Sequence, residues 1–338
     1  MQSARVIEGL RADDLDLGEL IESGEPLVLK GVARDWPLVQ KGLEGARAAI
    51  EYLAGFDGGR PVVGYAGAPE IGGRFFYNDE LTSLNFEAKR VPFKDFLARI
   101  SDHLDDPDPP SFYIGSTDLD QYLPGLSGEN GLPGTLPPFE AHPPAAGIWI
   151  GNRTIASTHF DFSNNIACNM VGRRRFTLFP PDQIGNLYPG PLEPTPGGQV
   201  VSMVDLRNPD FDLYPLFRDA LETARVAELD PGDLLIYPAM WWHNVEALDP
   251  FNVMINYWWN EVPRFVDTPM TTLRHALLSL RNRPEHEKAA WRELFDFYVF
   301  GDPLRATAHL PGHAQGPLAM DEVAARRLRA DLLARLNR

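Results

Sequence analysis

The order of apolar and polar residues divides the chain into a central region of short strands and flanking regions with helical character. Between about residues 110 and 260, short apolar runs alternate with Gly, Pro and Asn turns. Many short strands without long helices between them are typical of a sandwich or a barrel, so the fold is expected to be mostly β. The predicted strands lie at 111–116, 147–152, 157–171, 174–180, 233–238 and 252–259.

Helical patterns lie on both sides of these strands. On the N-terminal side, a short apolar strand at Leu27 to Leu29 precedes a segment at 91–104 with apolar residues at helical spacing. We therefore expect a β domain at 1–262, with N-terminal helices and strands around it, and a helical segment at 263–338. The helices predicted in that last segment lie at 268–280, 285–300 and 320–338.

The last predicted helix carries an apolar stripe that needs a packing partner. Val323, Leu328, Leu332 and Leu336 lie near one face, and the five arginines of this helix lie largely elsewhere. The stripe is expected to pack either on the β domain of the same chain or against a second copy, which would make a homodimer through the C-terminal helices. The sequence leaves both arrangements open.

Composition and charge narrow the class of protein. The chain has 338 residues, of which 44% are hydrophobic and 23% charged, as in ordinary globular proteins. A net charge of −16 repels phosphate backbones, so nucleic acid is not an expected partner. Solubility is the simplest role for this charge, and attraction of a basic peptide or cationic substrate is the alternative. No apolar run reaches about 18 residues, so no membrane span is expected.

The N-terminus and the cysteine count indicate a compartment. The first residues, "MQSARVIEGLRADDLDL", lack the apolar core of a secretory signal. A single cysteine, Cys168, excludes an internal disulfide framework and suits a reducing environment. The expected location is therefore the cytoplasm.

Two side chains that bind metals well occur two residues apart in the predicted strand 157–171. His159 and Asp161 point to one face of a regular strand, because side chains at i and i+2 do so. Ser163, Asn165 and Asn169 continue this polar row. Such a row inside a barrel is unusual unless water or a ligand lies there, because a buried polar group needs a partner.

A third candidate ligand, His243, lies in the segment "YPAMWWHNVEAL" at 237–248, at the end of a predicted apolar strand. Two histidines and one carboxylate with open coordination positions form the facial triad of non-haem Fe(II) oxygenases. The alternative is that His243 is a strand-end histidine bonded to the backbone. Chance occurrence of a His-x-Asp pair is the corresponding alternative for His159 and Asp161.

Arg174 is a candidate cation inside the β domain. Alternation along 174–180 places it on the face of Phe176 and Leu178, which is expected to point inward. A buried guanidinium binds a carboxylate in a bidentate fork, and an external carboxylate is the expected guest if no acidic side chain pairs with it. The alternative is a solvated basic face in which Arg173, Arg174 and Arg175 all lie outside.

Two further polar residues support an interior binding site. Asn256 lies in a strongly apolar predicted strand, where its amide needs partners such as a bound acid or, alternatively, a neighbouring backbone group. Tyr113 offers a hydroxyl to a carboxylate, with core packing as the alternative. The sequence also contains a cluster of four tryptophans, Trp241, Trp242, Trp258 and Trp259. Packing in the core or at an interface is the favoured expectation for them, and lining a pocket is the alternative.

Taken together, these segments resemble the cupin-like branch of the JmjC oxygenases, which includes a protein asparaginyl hydroxylase. The likeness runs from about residue 110 to 260 and is clearest in "THFD", "FTLFPPDQIGNLYPGP", "NPDFDLYPLF" and "PGDLLIYPAMWWHNVEAL". A weaker likeness covers "PLVLKGVARDWP" near the N-terminus. The resemblance implies a double-stranded β-helix, or jelly roll, with Fe(II) and the co-substrate 2-oxoglutarate at its centre.

The resemblance also implies roles for individual residues. By position, His159, Asp161 and His243 look like the iron ligands, and Arg174 stands where relatives usually hold a lysine that binds the far carboxylate of 2-oxoglutarate. Tyr113 matches a tyrosine that assists this carboxylate. Asn165 and Asn256 match asparagines near the other end of the co-substrate. Ala156 departs from the pattern, because relatives hold a threonine there that helps to bind 2-oxoglutarate.

Three functional hypotheses follow. The first is a 2-oxoglutarate-dependent oxygenase that uses dioxygen to hydroxylate a protein side chain or a small molecule. The second is a metal-binding cupin of another reaction class, without 2-oxoglutarate turnover. The third is a non-catalytic interaction protein, which has no need for two histidines and an aspartate in one cavity. The identity of the substrate does not follow from the fold.

Overall fold

A computed structural model describes residues 1–337 of the chain, which form fifteen strands and ten α-helices. The strands are β1 (Gln2–Ser3), β2 (Arg5–Ile7), β3 (Leu27–Leu29), β4 (Val62–Gly67), β5 (Arg74–Phe75), β6 (Glu87–Val91), β7 (Ser111–Asp118), β8 (Ala145–Gly151), β9 (Ile155–Phe160), β10 (Asn164–Val171), β11 (Arg174–Phe179), β12 (Arg225–Leu229), β13 (Leu234–Tyr237), β14 (Trp242–Ala247) and β15 (Asn252–Trp259).

The helices lie mostly before and after the strand-rich region. They are α1 (Leu17–Glu22), α2 (Pro37–Glu44), α3 (Ala46–Ala54), α4 (Phe93–Asp102), α5 (Leu119–Tyr122), α6 (Phe217–Thr223), α7 (Pro269–Ser279), α8 (Glu285–Phe295), α9 (Pro303–Thr307) and α10 (Glu322–Leu336). Five residues with π-helical geometry, Asp296–Phe300, follow α8. The expected mixture of a β core with flanking helices is thus confirmed.

Two large sheets form the jelly roll that was expected. One sheet has six strands in the order β1-β12-β11-β14-β9-β5, and the other has nine in the order β2-β3-β13-β10-β15-β8-β7-β4-β6. Several strands that are neighbours in these sheets lie far apart in the chain, as in the pairs β10 with β15 and β11 with β14. This crossing between sheets closes a β structure around an interior, as in other jelly rolls.

Alternation along β10 explains why this strand of the nine-stranded sheet is buried on both faces. Ala167 packs in one apolar cluster with Phe176 and Leu178 of the six-stranded sheet, which places that cluster between the sheets. Ile166 and Cys168 point the other way and pack in a second cluster with residues of α2, α3 and α4. Because both faces are covered, β10 reads as a nearly continuous buried run.

Two sequence predictions about strands are corrected by the structure. The segment 157–171 is not one strand, because β9 ends at Phe160 and β10 begins at Asn164 in the other sheet. The regular i, i+2 row proposed through Asp161 therefore breaks at a turn. His243 is also not at the end of a strand, since it is the second residue of β14. A short polar turn inside an apolar run carries too little pattern to reveal a change of sheet.

The described chain separates into two compact units, residues 1–260 and the residues from Glu261 onward. The second unit contains α7 to α10, and the apolar stripe predicted on its last helix exists but is largely uncovered. Val323, Leu332 and Leu336 are exposed, and the only fully buried residue of α10 is Ala325. None of the helices in the described part of the chain has the length and apolar character needed to cross a membrane. The assignment of domains at 1–262 and 263–338 stays a prediction.

Candidate metal centre

Two adjacent strands and one turn bring the predicted ligands together. β9 and β14 pair in antiparallel register, and His159 lies directly opposite His243. Asp161 follows the end of β9, and its carbonyl accepts a hydrogen bond of 2.8 Å from the backbone N–H of Met240. Met240 has a φ of +69°, a conformation that few non-glycine residues adopt, and it lies three residues before His243. This contact ties the aspartate turn to the segment that carries the second histidine.

Both imidazoles are oriented by their own strands. Nδ1 of His159 lies 2.8 Å from the Ser157 carbonyl oxygen, and Nδ1 of His243 lies 3.0 Å from the Trp241 carbonyl oxygen. A carbonyl oxygen only accepts hydrogen bonds, so each Nδ1 carries the proton and the neutral ring keeps a lone pair on Nε2. This is the arrangement that metal-binding histidines commonly use.

The three donor groups converge on one point. The imidazole ring centroids are 4.3 Å apart, and Nε2 of His243 lies 3.5 Å from Oδ2 of Asp161. One ligand atom from each of the three residues lies within 4.8 Å of the others. A cation between these two atoms would be held by an imidazole nitrogen and a carboxylate oxygen together. The alternative reading of His243, a strand-end histidine with only a backbone role, does not account for this convergence.

The protonation states of these groups suit metal binding. Burial, and then the neighbouring His243, lower the pKa of His159 to about 4, so its ring is neutral at neutral pH. Burial acts to raise the pKa of Asp161, but the interactions with the two histidines outweigh it, and the net pKa is lowered. At neutral pH the centre therefore offers the neutral imidazole of His159 and the carboxylate of Asp161, which are the forms of these groups that bind a metal ion.

A cavity of about 220 Å³ lies beside His159 and Asp161. Its wall is largely aromatic, and rings pack edge-on or tilted against one another, as Tyr113 does with Phe75 and Trp149. The aromatic residues that line it are Tyr65, Phe75, Phe86, Tyr113, Trp149 and Trp258. Ala156, the position that departs from the family pattern, also lines this cavity, together with Ser157.

The side chain of Arg174 is buried without a partner among the described residues 1–337. The residue is 4% exposed, and its guanidinium makes no hydrogen bond or ion pair within that range. Burial lowers its pKa to about 10, with the nearby Tyr113 acting in the opposite direction, so the guanidinium is still charged at neutral pH. Its neighbour Arg175 points outward and pairs with Glu228. The alternative in which Arg174 is solvated is therefore wrong.

The two candidate asparagines bond to side chains rather than to the backbone. Oδ1 of Asn256 accepts a hydrogen bond of 2.6 Å from the Trp149 indole N–H, and Nδ2 of Asn256 donates to Oδ1 of Asn165 at 3.2 Å. Nδ2 of Asn165 in turn donates to the Tyr237 hydroxyl at 2.6 Å. These residues form one buried polar chain on the inner side of the nine-stranded sheet.

Sequence reasoning missed part of this site. Tyr237 had been assigned only to a strand, and a polar-tipped residue at the end of the apolar run "DLLIYP" was the one available signal. Ser157 was missed as well, and its hydroxyl is buried at the cavity without a described partner. Of the four tryptophans, only Trp258 lines the cavity, and the others pack in the apolar clusters.

Comparison with known proteins gives the family. The model of a family described as "Cupin-like domain" matches residues 14–265, well over half of the chain. Human HSPB1-associated protein 1 is 35% identical over 154 residues, which are 44% of this chain and 28% of that protein. Lysine-specific demethylase JMJ31 of Arabidopsis thaliana is 34% identical over 104 residues, 31% of this chain and 18% of that protein.

A longer match is to tRNA wybutosine-synthesizing protein 5 of Mus musculus. It is 25% identical over 270 residues, which cover 70% of this chain and 78% of that protein. The chain spans less than a third of HSPB1-associated protein 1, so the similarity to that protein concerns one segment of it. The family match covers the strands from β3 to β15 and all three residues of the candidate metal centre. The chain belongs to the cupin-like domain family.

Proposed function

We propose that this protein is an Fe(II)- and 2-oxoglutarate-dependent oxygenase that hydroxylates a protein side chain or a small molecule. The observation that carries the proposal is the pairing of two features in one interior. The side chains of two histidines and one aspartate, His159, His243 and Asp161, converge, and Arg174 is a buried cation without a partner among the described residues. A metal alone explains the first feature, and a metal with a diacid explains both.

The residues present fit both groups. His159, Asp161 and His243 would hold the iron, since each offers one N or O ligand atom and these atoms lie within 4.8 Å of one another. Arg174, with its unpartnered Nε, would hold the far carboxylate of 2-oxoglutarate, and Tyr113 contributes a hydroxyl on the same side. The Ala156 departure removes one hydroxyl from this site, and the buried Ser157 hydroxyl beside it offers another.

When bound, iron and 2-oxoglutarate supply hydroxylation of a C–H bond by dioxygen, coupled to conversion of 2-oxoglutarate into succinate and carbon dioxide. The chain's own residues would bind the iron and 2-oxoglutarate and orient them. His159, Asp161 and His243 would hold the metal, Arg174 would hold the diacid, and the aromatic wall of the cavity would keep water from the reacting atoms. The strand-borne Nδ1 hydrogen bonds hold both imidazoles in one orientation throughout.

The relatives support an enzyme over an interaction protein. Two of them carry the names of enzymes, a lysine-specific demethylase and a tRNA wybutosine-synthesizing protein. The substrate of this chain is proposed only as a C–H-bearing group that reaches the aromatic cavity beside Asp161.

The test is an anaerobic titration of the purified protein with Fe(II) and then with 2-oxoglutarate, followed by visible absorption. A charge-transfer band that saturates with 2-oxoglutarate is expected. The His159→Ala variant should not bind iron, whereas His286→Ala, a change at an exposed histidine, should behave as the wild type. Bound iron without any band on addition of 2-oxoglutarate would reject the proposal and leave a metal cupin of another reaction class.

A further inference from the structure

The buried polar chain that ends at Tyr237 has a fixed direction. The Trp149 indole N–H can only donate, so it fixes Oδ1 of Asn256 as the atom that faces it. Nδ2 of Asn256 must then face Asn165, which presents its Oδ1. The Nδ2 group of Asn165 is therefore left for Tyr237. One donor-only group thus orients both amides.

The consequence falls on the Tyr237 hydroxyl. Its oxygen accepts from Asn165, so its own proton is free to be donated. No acceptor for that proton exists among the described residues 1–337. Tyr237 is 2% exposed, and a buried hydroxyl without an acceptor is unfavourable. The site therefore presents an unused hydrogen-bond donor in its interior.

The position of Tyr237 shows where this donor lies. Its ring packs against the His243 ring with centroids 5.0 Å apart. Its hydroxyl is close enough to Asp161 for the carboxylate charge to act on it. In the sheet, Tyr237 and Trp258 are the two cross-strand neighbours of Asn165, and Trp258 lines the cavity. The free donor thus lies on the metal side of the interior.

We propose that Tyr237 is a binding residue for the metal-side end of the co-substrate: its O–H donates a hydrogen bond to the carboxylate that adjoins the 2-oxo group of the bound acid. This inference rests on the proposed function. The ligand class is a 2-oxo carboxylate, and different residues of the site bind its two ends. Arg174 holds the far carboxylate, and Tyr237 holds the near one.

The same geometry changes the role of the two asparagines. By resemblance they were expected to contact the near end of the co-substrate. In this chain, the oxygens of Asn165 and Asn256 are both occupied, and one donor of each amide is used within the polar chain. They are positioning residues that hold Tyr237 with its proton directed away from them. A glycine at 147 makes this possible, because a Cβ there would lie 2.9 Å from Oδ1 of Asn256.

The experiment measures binding of two acids to the Fe(II)-loaded protein under anaerobic conditions, by the visible band. One acid is 2-oxoglutarate, and the other is 2-oxobutyrate, which has the same 2-oxo carboxylate but no far carboxylate. The variants are Tyr237→Phe, Arg174→Met and a matched control, Tyr257→Phe. Tyr257 is also buried, and its hydroxyl also accepts one N–H, from Leu132, but it lies in the apolar cluster between the nine-stranded sheet and the helices.

The expected result separates the two ends of the ligand. Tyr237→Phe should weaken both acids by the same factor, about 10- to 100-fold, as for the loss of a hydrogen bond to a charged group. Arg174→Met should weaken 2-oxoglutarate alone. Tyr257→Phe should change neither. Iron content and the unfolding midpoint show whether each variant is folded, and Tyr237→Met, which also lacks the hydroxyl, takes the place of Tyr237→Phe if that variant loses iron.

Three results would overturn the inference alone. These are affinities of the Tyr237→Phe protein within twofold of the wild type, a loss confined to 2-oxoglutarate, or an equal loss in Tyr257→Phe. A wild-type protein that binds iron but neither acid refutes the proposed function itself. The two failures are therefore distinguishable in one set of titrations.

Discussion

Arg174→Met is expected to make the ligand-free protein more stable while it removes binding of the diacid. Arg174 is a buried guanidinium with no acidic partner in the described chain, and burial lowers its pKa from 12.5 to about 10. That difference corresponds to roughly 3 kcal/mol of unfavourable energy for the charged form. Methionine fills a similar volume without a charge, and imperfect packing offsets part of the gain.

The net gain in the free energy of unfolding is therefore expected to be about 1–3 kcal/mol. For a unit of this size, 1 kcal/mol raises the melting temperature by about 2–4 °C. In the wild type, 2-oxoglutarate at about 100 times its Kd adds about 2.7 kcal/mol of stability, and the variant should not receive this contribution. The two proteins should thus exchange their order of stability when the diacid is added.

The assay is thermal unfolding of the metal-loaded protein with and without 2-oxoglutarate. Arg175→Met is the matched control, because this neighbouring arginine lies on the outer face and pairs with Glu228 at the surface, where an ion pair contributes little. An Arg174→Met protein that is less stable than the wild type without ligand, and that is still stabilised by 2-oxoglutarate, would refute the reasoning.

Three other predictions follow from the structure. Asp161→Ala should lower metal affinity by at least about 100-fold in a metal titration, because it removes the single anionic ligand. Wild-type metal affinity in this variant would contradict the proposed site. Gly147→Ala should destabilise the protein by about 1–3 kcal/mol in denaturant unfolding by pushing Asn256 from Trp149, whereas Gly134→Ala, where a Cβ meets nothing, should be neutral. The homodimer expected from the exposed apolar residues of α10 should give a mass near twice 37.7 kDa by light scattering, and the double variant Leu332→Glu, Leu336→Glu should be a monomer. A monomeric wild-type protein would contradict this expectation.

The local sequence pattern was sufficient to predict features that depend on a single strand or a single helix. Alternation along β11 placed Arg174 on the inner face with Phe176, and the structure buries both. Helical spacing predicted α4 within two residues at each end. The candidate ligands could also be identified in the sequence, because a His or Asp side chain on an inward face needs a polar or charged partner.

The split of 157–171 could not be predicted, because the change of sheet depends on which strands β9 and β10 pair with. His159 is fixed by its register with β14, and Asn165 is fixed by β13 and β15. Those partners are far away in the chain, and the turn at Asp161 carries no periodic signal. The aspartate still reaches the centre, but through the Met240 contact and not through strand alternation.

From the sequence by itself, periodicity predicted a sandwich or barrel and the inward direction of Arg174, because it indicates which side chains are buried. The family resemblance of the same sequence implied the jelly roll and the roles of the three candidate ligands. Only the tertiary structure decided that, within residues 1–337, the Arg174 guanidinium has no partner and the Tyr237 hydroxyl proton has no acceptor. Both facts concern hydrogen-bond partners, and partners are set by contacts between residues far apart in the chain. A residue's direction is a local property, whereas the satisfaction of its polar atoms is a property of the whole fold.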